Sequence, residues 1–234
     1  MIEAVVFDFD GTLVNYVDSD IKSLKHLHSV MEAKVPFKEF LQTAVDEIME
    51  FHRLVEERFI DPLLMHKFRL EKTFKAHGIQ WDDSALAIYK DEIVRTCIPF
   101  DGVADILSRL RESFKLGLIT NAYDGLEQRR RIEASGLQNY FDEILISGDV
   151  GVYKPDPNIF HILLNRIGVV PEKALYIGDS IKHDVAGANA AGMKSVLFCK
   201  SSKRWSSEAH FHAHGVEGLE AFATELCELA RTGS

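Results

Sequence analysis

Long apolar runs and cysteines are scarce in this 234-residue sequence. The longest apolar segments, such as residues 4–7, have the length of a strand rather than of a membrane span. Glu3 and Asp8 interrupt the N-terminal segment, which therefore does not resemble a signal peptide. The cysteines are Cys97, Cys199 and Cys227. Their odd number and wide spacing predict neither a disulfide framework nor a cysteine metal site, so we expect a cytoplasmic protein without a membrane partner.

Basic residues are outnumbered by acidic ones, with 27 Lys and Arg against 36 Asp and Glu and a formal net charge of −9. Proteins that bind nucleic acids or membrane surfaces need clustered positive charge to offset phosphate groups. We therefore expect neither kind of partner. One short basic run, Arg129 to Arg131, lies in a helical pattern and is interpreted as a solvent-exposed helix face.

The composition, 46% hydrophobic and 27% charged, is that of a globular protein with one principal domain and room for a smaller one. Short apolar runs alternate with helical patterns over most of the chain. The predicted strands are residues 4–7, 115–119, 143–146, 174–177 and 195–198, and the predicted helices after residue 99 are 103–112, 126–134, 158–167, 183–191 and about 217–230. This alternation predicts an α/β fold, a doubly wound parallel sheet with helices on both faces.

Residues 16–97 have a different character. They contain almost no glycine and no strand-like run, and their apolar residues recur with helical periodicity. Pro36 and Pro62 stand where helices would begin. The sequence thus predicts an all-helical domain of four helices at residues 16–97, inserted into an α/β core formed by residues 1–15 and 98–234.

Acidic side chains follow two of the predicted strands. Asp8 and Asp10 come directly after the first strand, Asp179 follows a later one, and Asp184 opens the next helix. Ligands of doubly wound sheets bind beyond the carboxyl ends of the strands, so these side chains are expected to converge. Converging carboxylates repel one another unless a cation relieves them. Oxygen donors of this kind favour Mg²⁺.

A hydroxyl, an amide and an ammonium group are expected at the same edge of the sheet. Thr120 and Asn121 end the second predicted strand, and Lys154 lies in a loop stiffened by Pro155 and Pro157. Together with the carboxylates and a metal site, they supply the groups needed for phosphoryl transfer through an aspartyl-phosphate.

Taken in order, these segments resemble the four motifs of the haloacid dehalogenase (HAD) superfamily. The segments are Asp8 to Leu13 (Asp-Phe-Asp-Gly-Thr-Leu), Thr120-Asn121, Lys154-Pro155-Asp156 and Gly178 to Asp184 (Gly-Asp-Ser-Ile-Lys-His-Asp). The resemblance covers nearly the whole chain. It implies a Rossmann-like core, and residues 16–97 are similar to the helical cap of the first cap class in this superfamily.

The resemblance also implies a role for each motif residue. Asp8 would attack the phosphorus, and Asp10 would protonate the leaving alcohol and then deprotonate the attacking water. Thr120 and the backbone amide of Asn121 would bind the phosphoryl oxygens. Lys154 would neutralise negative charge on Asp8 and on the phosphoryl group.

The metal site implied by the resemblance consists of Asp8, Asp10 through its backbone carbonyl, Asp179 and Asp184. Asp179 would bind Mg²⁺ directly, and Asp184 would bind it through water or orient Lys154. A carboxylate held at a helix N-terminus by the helix dipole is an alternative interpretation of Asp184.

Asp10 separates the branches of the superfamily. Dehalogenases lack a carboxylate at this position because a halide leaves without protonation, whereas an alkoxide needs a proton. The phosphonate-cleaving branch needs a Schiff-base lysine in the cap, and Lys22, Lys25 and Lys34 lie in no obviously apolar setting. Sugar phosphomutases share all four motifs and remain the closest alternative. The sequence favours a Mg²⁺-dependent phosphatase, a monomer or homodimer, acting on small phosphorylated metabolites such as sugar phosphates, phosphoglycolate or nucleotides.

Histidines form two further groups. Those of the predicted helical domain are His26, His28, His52 and His66, and an alternating set near the C-terminus is His210, His212 and His214. We interpret the first group as covering helix surfaces and the second as a surface strand or turn. Substrate contact and metal binding are the respective alternatives.

Overall fold

The computed structural model describes residues 1–200 and 205–232 and divides into two compact units. One unit consists of Met1–Tyr16 and Ile98–Ser234, and the other is Val17–Cys97. No helix within the described residues is both long enough and apolar enough to cross a membrane.

The discontinuous unit is built around a sheet that, over the described residues, has six strands, all paired in parallel. The strands are β1 (Ala4–Phe7), β2 (Lys115–Thr120), β3 (Glu143–Ile146), β4 (Ala174–Gly178), β5 (Lys194–Cys199) and β6 (Phe211–His214). Their order is β3-β2-β1-β4-β5-β6. Phe7 pairs with Leu118 on one side and with Ile177 on the other, so the carboxyl ends of the three central strands lie side by side.

The continuous unit is helical. Its helices are α1 (Tyr16–Val30, whose first residue belongs to the other unit), α2 (Phe37–Glu56), α3 (Met65–Ala76) and α4 (Asp83–Arg95), with a 3₁₀ turn at Pro62–Leu64. Phe40, Phe51 and Phe74 are fully buried, which indicates that these three aromatic residues contribute to its core. Pro36 directly precedes α2, and Pro62 opens the turn before α3, as the sequence predicted.

The remaining helices belong to the unit with the sheet. They are α5 (Val103–Arg111), α6 (Gly125–Ala134), α7 (Ser147–Val150), α8 (Pro157–Ile167), α9 (Ala186–Ala190) and α10 (Gly215–Thr232). Short 3₁₀ turns occur at Gln138–Tyr140 and Pro171–Lys173, and a π turn at Ile181–Val185 leads into α9.

Helix α8 illustrates how the sequence fixes these elements. The Asp156 side chain caps it by accepting a hydrogen bond from the Asn158 amide, Pro157 occupies its first turn, and Gly168 ends it with a left-handed backbone. Its apolar face is buried in the same cluster as residues of the central strands, including Val6, Ile119 and Tyr176. Burial of this face holds α8 against the sheet.

The predicted α/β fold with a parallel, Rossmann-like core is confirmed. Residues 210–214 were expected to form a surface strand or turn, and Phe211–His214 is a strand, β6, that pairs with β5 along its whole length at the edge of the sheet. Ala213 is the one residue of Phe211–His214 that is fully buried, which is typical of a short edge strand. The apolar pattern of this segment therefore did not indicate a buried strand.

Candidate active site

Asp8 follows β1 directly, and its side chain is buried at the carboxyl edge of the sheet. One carboxylate oxygen, Oδ1, accepts a hydrogen bond from Lys154 Nζ at 2.6 Å, and Oδ2 accepts one from the Thr12 hydroxyl at 3.3 Å. The chain turns away at Gly11, which has φ of +89°. A Cβ at this position would approach Asp179 Oδ2 to 2.6 Å, so only glycine allows the first strand end to lie so close to Asp179.

Lys154 is the centre of a buried polar cluster. Its ammonium group donates hydrogen bonds to Asp8 Oδ1 at 2.6 Å, to Asp184 Oδ1 at 2.7 Å and to the Tyr176 hydroxyl at 2.8 Å. Tyr176 in turn donates to the Ile119 carbonyl at 3.1 Å. The three donors of an ammonium group are therefore all used, and the head group has a defined position although the lysine chain is long.

The pKa values in this cluster are shifted by burial and by neighbouring charge. Burial raises the pKa of Asp8 to about 8, and the carboxylates of Asp184 and Asp179 also raise it, against the opposing effect of Lys154. Burial alone would lower the pKa of Lys154, but the charges of Asp184 and Asp8 outweigh it and hold that pKa well above its usual value. The lysine is thus a permanent cation, and one cation does not offset all the nearby carboxylates.

Carboxylate oxygens of Asp8, Asp179 and Asp184 lie within 4.8 Å of one another. These residues come from the ends of β1 and β4 and from the turn that follows β4, as the strand-end argument predicted. Hard cations prefer such an all-oxygen set. Burial and, to a smaller extent, the carboxylates of Asp184 and Asp179 raise the pKa of Asp8, so added positive charge would favour its ionised form. The residues therefore fit a bound divalent cation of the Mg²⁺ type.

Asp184 is held from both sides. Its Oδ1 accepts the Lys154 ammonium, and its Oδ2 accepts the backbone amide of Ser180 at 2.8 Å. Gly178 makes room for it, because a Cβ there would lie 2.4 Å from Asp184 Cγ. Asp184 is 2% exposed and orients Lys154 directly, so its position is determined by more than a favourable place at a helix N-terminus.

Asn121 fixes the loop that carries Lys154. Its amide group donates to the Lys154 carbonyl, and its amide oxygen accepts the Lys154 backbone N–H, both at 2.9 Å. A ring nitrogen of His183, Nδ1, also lies 3.1 Å from the Lys154 carbonyl. The Asn121 side chain is thus committed to positioning Lys154.

Asp10 lies outside the acidic group formed by Asp8, Asp179 and Asp184 among the described residues. Its carboxylate accepts two hydrogen bonds from the Arg131 guanidinium, at 2.9 and 2.5 Å, and one from the Gln128 amide at 3.0 Å. The same Gln128 nitrogen donates to the Thr120 hydroxyl at 2.9 Å. Asp10 and Thr120 are therefore linked through one side chain of α6.

Comparisons with known proteins agree with this geometry. A family model described as haloacid dehalogenase-like hydrolase matches residues 5–198. The chain belongs to this family. It is 32% identical over 206 residues to a glyceraldehyde 3-phosphate phosphatase of Methanopyrus kandleri, covering 84% of this chain and 83% of that protein. It is 28% identical over 212 residues to the N-acylneuraminate-9-phosphatase of Mus musculus, covering 87% and 84%.

The fold of this HAD hydrolase also matches solved structures. The HAD-hydrolase YfnB from Bacillus subtilis, crystallised with bound magnesium, superposes with a TM-score of 0.79 over 95% of this chain and 98% of that one, at 24% identity. The predicted superfamily and the Rossmann-like core are thus confirmed, and the two relatives named above are phosphatases, as predicted for this chain.

One prediction about the basic run of the HAD hydrolase is wrong. Arg129 and Arg130 are exposed, but Arg131 is 2% exposed and pairs with Asp10. Its burial follows from helix geometry, because residues 128, 131 and 132 share the face of α6 that packs inward. The three-residue spacing between Gln128 and Arg131, which places them on the same helix face as Ile132, could have indicated that Arg131 is buried.

Two further residues depart from the sequence-based interpretation. Tyr176 was counted only as part of an apolar strand, yet its hydroxyl contacts Lys154. His66 was expected to cover a helix surface, whereas it is 5% exposed and packs with Tyr89, the ring centroids being 4.9 Å apart. His212 and His214 lie on β6 with their rings stacked. Within the described residues, the group of three or more His, Cys, Asp or Glu side chains close enough together to hold a metal ion is Asp8, Asp179 and Asp184, and it contains no histidine.

Proposed function

We propose that this HAD hydrolase cleaves small phosphate monoesters in a Mg²⁺-dependent reaction that passes through a phosphorylated Asp8. The observation that carries the proposal is the placement of the Asp8 carboxylate, which accepts a hydrogen bond from the Lys154 ammonium and lies within 4.8 Å of carboxylate oxygens of Asp179 and Asp184. A carboxylate in this setting is fixed in orientation and faces an electrostatic environment suited to a transferring phosphoryl group.

In the first step, an Asp8 oxygen attacks phosphorus and the bond to the substrate alcohol breaks. Lys154 offsets the negative charge shared by Asp8 and the phosphoryl oxygens, and Asp184 and Tyr176 keep the ammonium in place. The Thr120 hydroxyl accepts a hydrogen bond from Gln128, so its own proton can be donated to a phosphoryl oxygen. The backbone amide of Asn121 supplies a second donor.

In the proposed reaction, Asp10 is the general acid of the first step and the general base of the second. In the first step its carboxyl group donates a proton to the departing alkoxide oxygen, which becomes the alcohol product. In the second step the resulting carboxylate takes a proton from water, whose oxygen attacks the phosphorus of the aspartyl-phosphate. The P–O bond to Asp8 breaks, and inorganic phosphate and the free Asp8 carboxylate are regenerated.

Asp8, Asp179 and the backbone carbonyl of Asp10 would hold Mg²⁺, with Asp184 close behind them. When bound, the ion supplies positive charge that lowers the cost of bringing an anionic phosphate to an acidic site. The raised pKa of Asp8 supports this part of the proposal, because a dication would favour the ionised carboxylate that the attack requires.

We further propose that residues 16–97 act as a cap domain that selects the substrate. The names of the relatives support small phosphorylated metabolites as the substrate class, since one is a glyceraldehyde 3-phosphate phosphatase and another an N-acylneuraminate-9-phosphatase.

A phosphate-release assay tests the proposal. The purified chain is incubated with Mg²⁺ and a panel of sugar phosphates, phosphoglycolate, N-acylneuraminate 9-phosphate and nucleotides, and products are also followed by phosphorus NMR. We expect release of inorganic phosphate from at least one monoester, its loss on chelation of the metal, and its loss in Asp8→Asn. Isomerised sugar phosphates without phosphate release would instead indicate a phosphomutase, and no turnover of any monoester would contradict the proposal.

Asp149→Asn is a matched control for Asp8→Asn. Asp149 also lies shortly after a strand, on the short helix α7 that follows β3, but it pairs with the exposed Arg129 at 2.7 Å instead of with Lys154. This variant is expected to keep the wild-type rate.

A further inference from the structure

The Arg131 side chain is charged but only 2% exposed, and it forms an ion pair with the Asp10 carboxylate, which is 25% exposed. Its guanidinium bonds both oxygens of Asp10, through Nη1 to Oδ2 and through Nη2 to Oδ1. A two-point contact between a planar guanidinium and a carboxylate fixes the rotation of the carboxylate as well as its position.

The guanidinium is itself held in place by aromatic rings. It lies 4.8 Å from the ring centre of Tyr16 and 5.7 Å from that of Phe9. Arg131 Nη1 also donates to the Gln128 side-chain oxygen at 2.8 Å. These contacts come from α6, from the loop after β1 and from the first residue of α1, so the position of Arg131 is determined by several elements of the same unit.

Gln128 completes the arrangement. Its oxygen accepts from Arg131, and its nitrogen donates to both Asp10 and Thr120. The start of α6 is fixed as well, since the Asp124 side chain accepts the backbone amides of Leu126 and Glu127. The register of α6 therefore sets where the Asp10 carboxylate lies relative to the Thr120 hydroxyl.

We infer that Arg131 and Gln128 are positioning residues that hold the Asp10 carboxyl group in the orientation needed for proton transfer to the leaving group. This inference rests on the proposed function, because it assigns the pair a task only if Asp10 is the acid and base of phosphoester cleavage. Neither side chain touches the reacting atoms in this account, and both act through Asp10.

The inference predicts a dependence on the leaving group. An alkyl phosphate releases a strongly basic alkoxide and needs a well-placed acid, whereas p-nitrophenyl phosphate releases a stabilised phenolate that needs little protonation. The ratio kcat/KM covers the reaction up to the first irreversible step, so it reports phosphorylation of Asp8 separately from the later attack of water.

The experiment compares Arg131→Ala, Arg131→Lys and Gln128→Ala with wild type, using the best alkyl substrate of the panel and p-nitrophenyl phosphate. For Arg131→Ala we expect kcat/KM for the alkyl ester to fall by about 10²-fold or more, with a fall of less than about 10-fold for the aryl ester and with KM little changed. Arg131→Lys should restore only part of the alkyl activity, because an ammonium cannot make the two-point contact. Gln128→Ala should also lower kcat/KM more for the alkyl ester than for the aryl ester, but by a smaller factor than Arg131→Ala.

Arg129→Ala is the matched control on the same helix, because Arg129 is exposed and pairs with Asp149. It should leave both substrates unaffected. Removal of a buried arginine can unfold a protein, so circular dichroism is recorded for each variant, and added guanidinium is tested for rescue of Arg131→Ala on the alkyl substrate. Gln128→Ala provides a test that leaves every charge in place.

Equal losses of activity on both esters in folded variants, or an increase in activity on removal of Arg131, would overturn the inference. Asp10→Asn separates this failure from failure of the proposed function. If Asp10→Asn discriminates strongly between the esters and the Arg131 and Gln128 variants do not, only the positioning role is wrong. If wild type releases no phosphate from either ester, the proposed function itself is wrong.

Discussion

At the scale of single residues, Lys154 is the side chain on which the polar contacts of the site converge. It is 4% exposed and contacts two buried carboxylates and a buried hydroxyl. Moving a charged group out of water is costly, and this cost is recovered only when every partner is present. Loss of the lysine leaves Asp8 and Asp184 close together without the ammonium group that contacts both of them.

Lys154→Met should therefore lower the free energy of unfolding by about 3–5 kcal/mol when measured by urea denaturation in the absence of divalent metal. Addition of Mg²⁺ should recover part of this loss, since the ion can offset the same carboxylates. Lys173→Met is the control, because Lys173 forms a comparable 2.7 Å contact with Glu3 at an exposed position and should cause no measurable change. Equal stability of the two variants would contradict the account of the buried cluster.

The convergence of Asp8, Asp179 and Asp184 could be predicted from the sequence, because they follow two recognisable strands and parallel strands end at one edge. Lys154 lies in a loop between α7 and α8, so strand position alone did not locate it. Tyr176 and Arg131 were missed for opposite reasons. Tyr176 lies inside an apolar strand, and the pattern of apolar residues does not reveal that its hydroxyl group has a polar partner. Arg131 belongs to a run of three arginines, and the charge of this run led to the prediction that it is exposed to solvent.

At the scale of secondary-structure elements, the helical unit is held together by a buried ion pair as well as by aromatic residues. Arg69 on α3 donates two hydrogen bonds to Asp20 on α1, at 2.8 and 2.9 Å, and one to the Ala44 carbonyl on α2 at 2.8 Å. Tyr89 on α4 donates to Asp20 at 2.5 Å. One arginine that is 1% exposed thus connects elements throughout this unit.

Arg69→Ala should destabilise the protein by about 3–5 kcal/mol, because Asp20 would remain largely buried without its countercharge. Thermal and urea denaturation measure the change. Arg53→Ala on α2 is the matched control, since Arg53 is exposed and its pairs with Glu50 and Glu57 lie within one helix. Asp20→Asn combined with Arg69→Ala should cost less than the sum of the two single changes, and simple additivity would contradict a direct pairing.

The presence of four helices in this unit followed from apolar periodicity, but the Arg69–Asp20 pair did not. The two residues are 49 positions apart, and neither stands in a motif that distinguishes it from other charged residues of the same helices. Periodicity predicts which face of a helix is buried. It does not predict which charged residue on that face finds a partner from another helix.

At the scale of the whole molecule, metal binding and folding should be coupled. A ligand that binds only the folded chain stabilises it by about 2.7 kcal/mol at a concentration 100 times its dissociation constant. For a protein of this size, we expect Mg²⁺ at that concentration to raise Tm by about 5–10 °C. Asp179→Asn should abolish most of this increase, whereas Asp149→Asn should retain it.

The increase in Tm should also depend on pH. Because burial raises the pKa of Asp8 to about 8, ionisation of Asp8 destabilises the metal-free fold progressively as pH rises from about 4 towards 8. Mg²⁺ favours the ionised carboxylate, so its stabilising effect should grow over the same interval and level off above it. Calorimetry at several pH values measures the effect, and an increase in Tm that is constant between pH 5 and 8 would contradict the assigned role of Asp8.

The most direct test of the central claim is to trap the phosphorylated enzyme. The chain is mixed with Mg²⁺ and its best phosphate monoester, quenched in acid within the first turnover, digested and analysed by mass spectrometry. The account predicts one added phosphoryl group on the peptide that contains Asp8, removed by hydroxylamine and absent from Asp8→Asn. Full phosphate release with no phosphorylated peptide in wild type, together with an active Asp8→Asn variant, would contradict it.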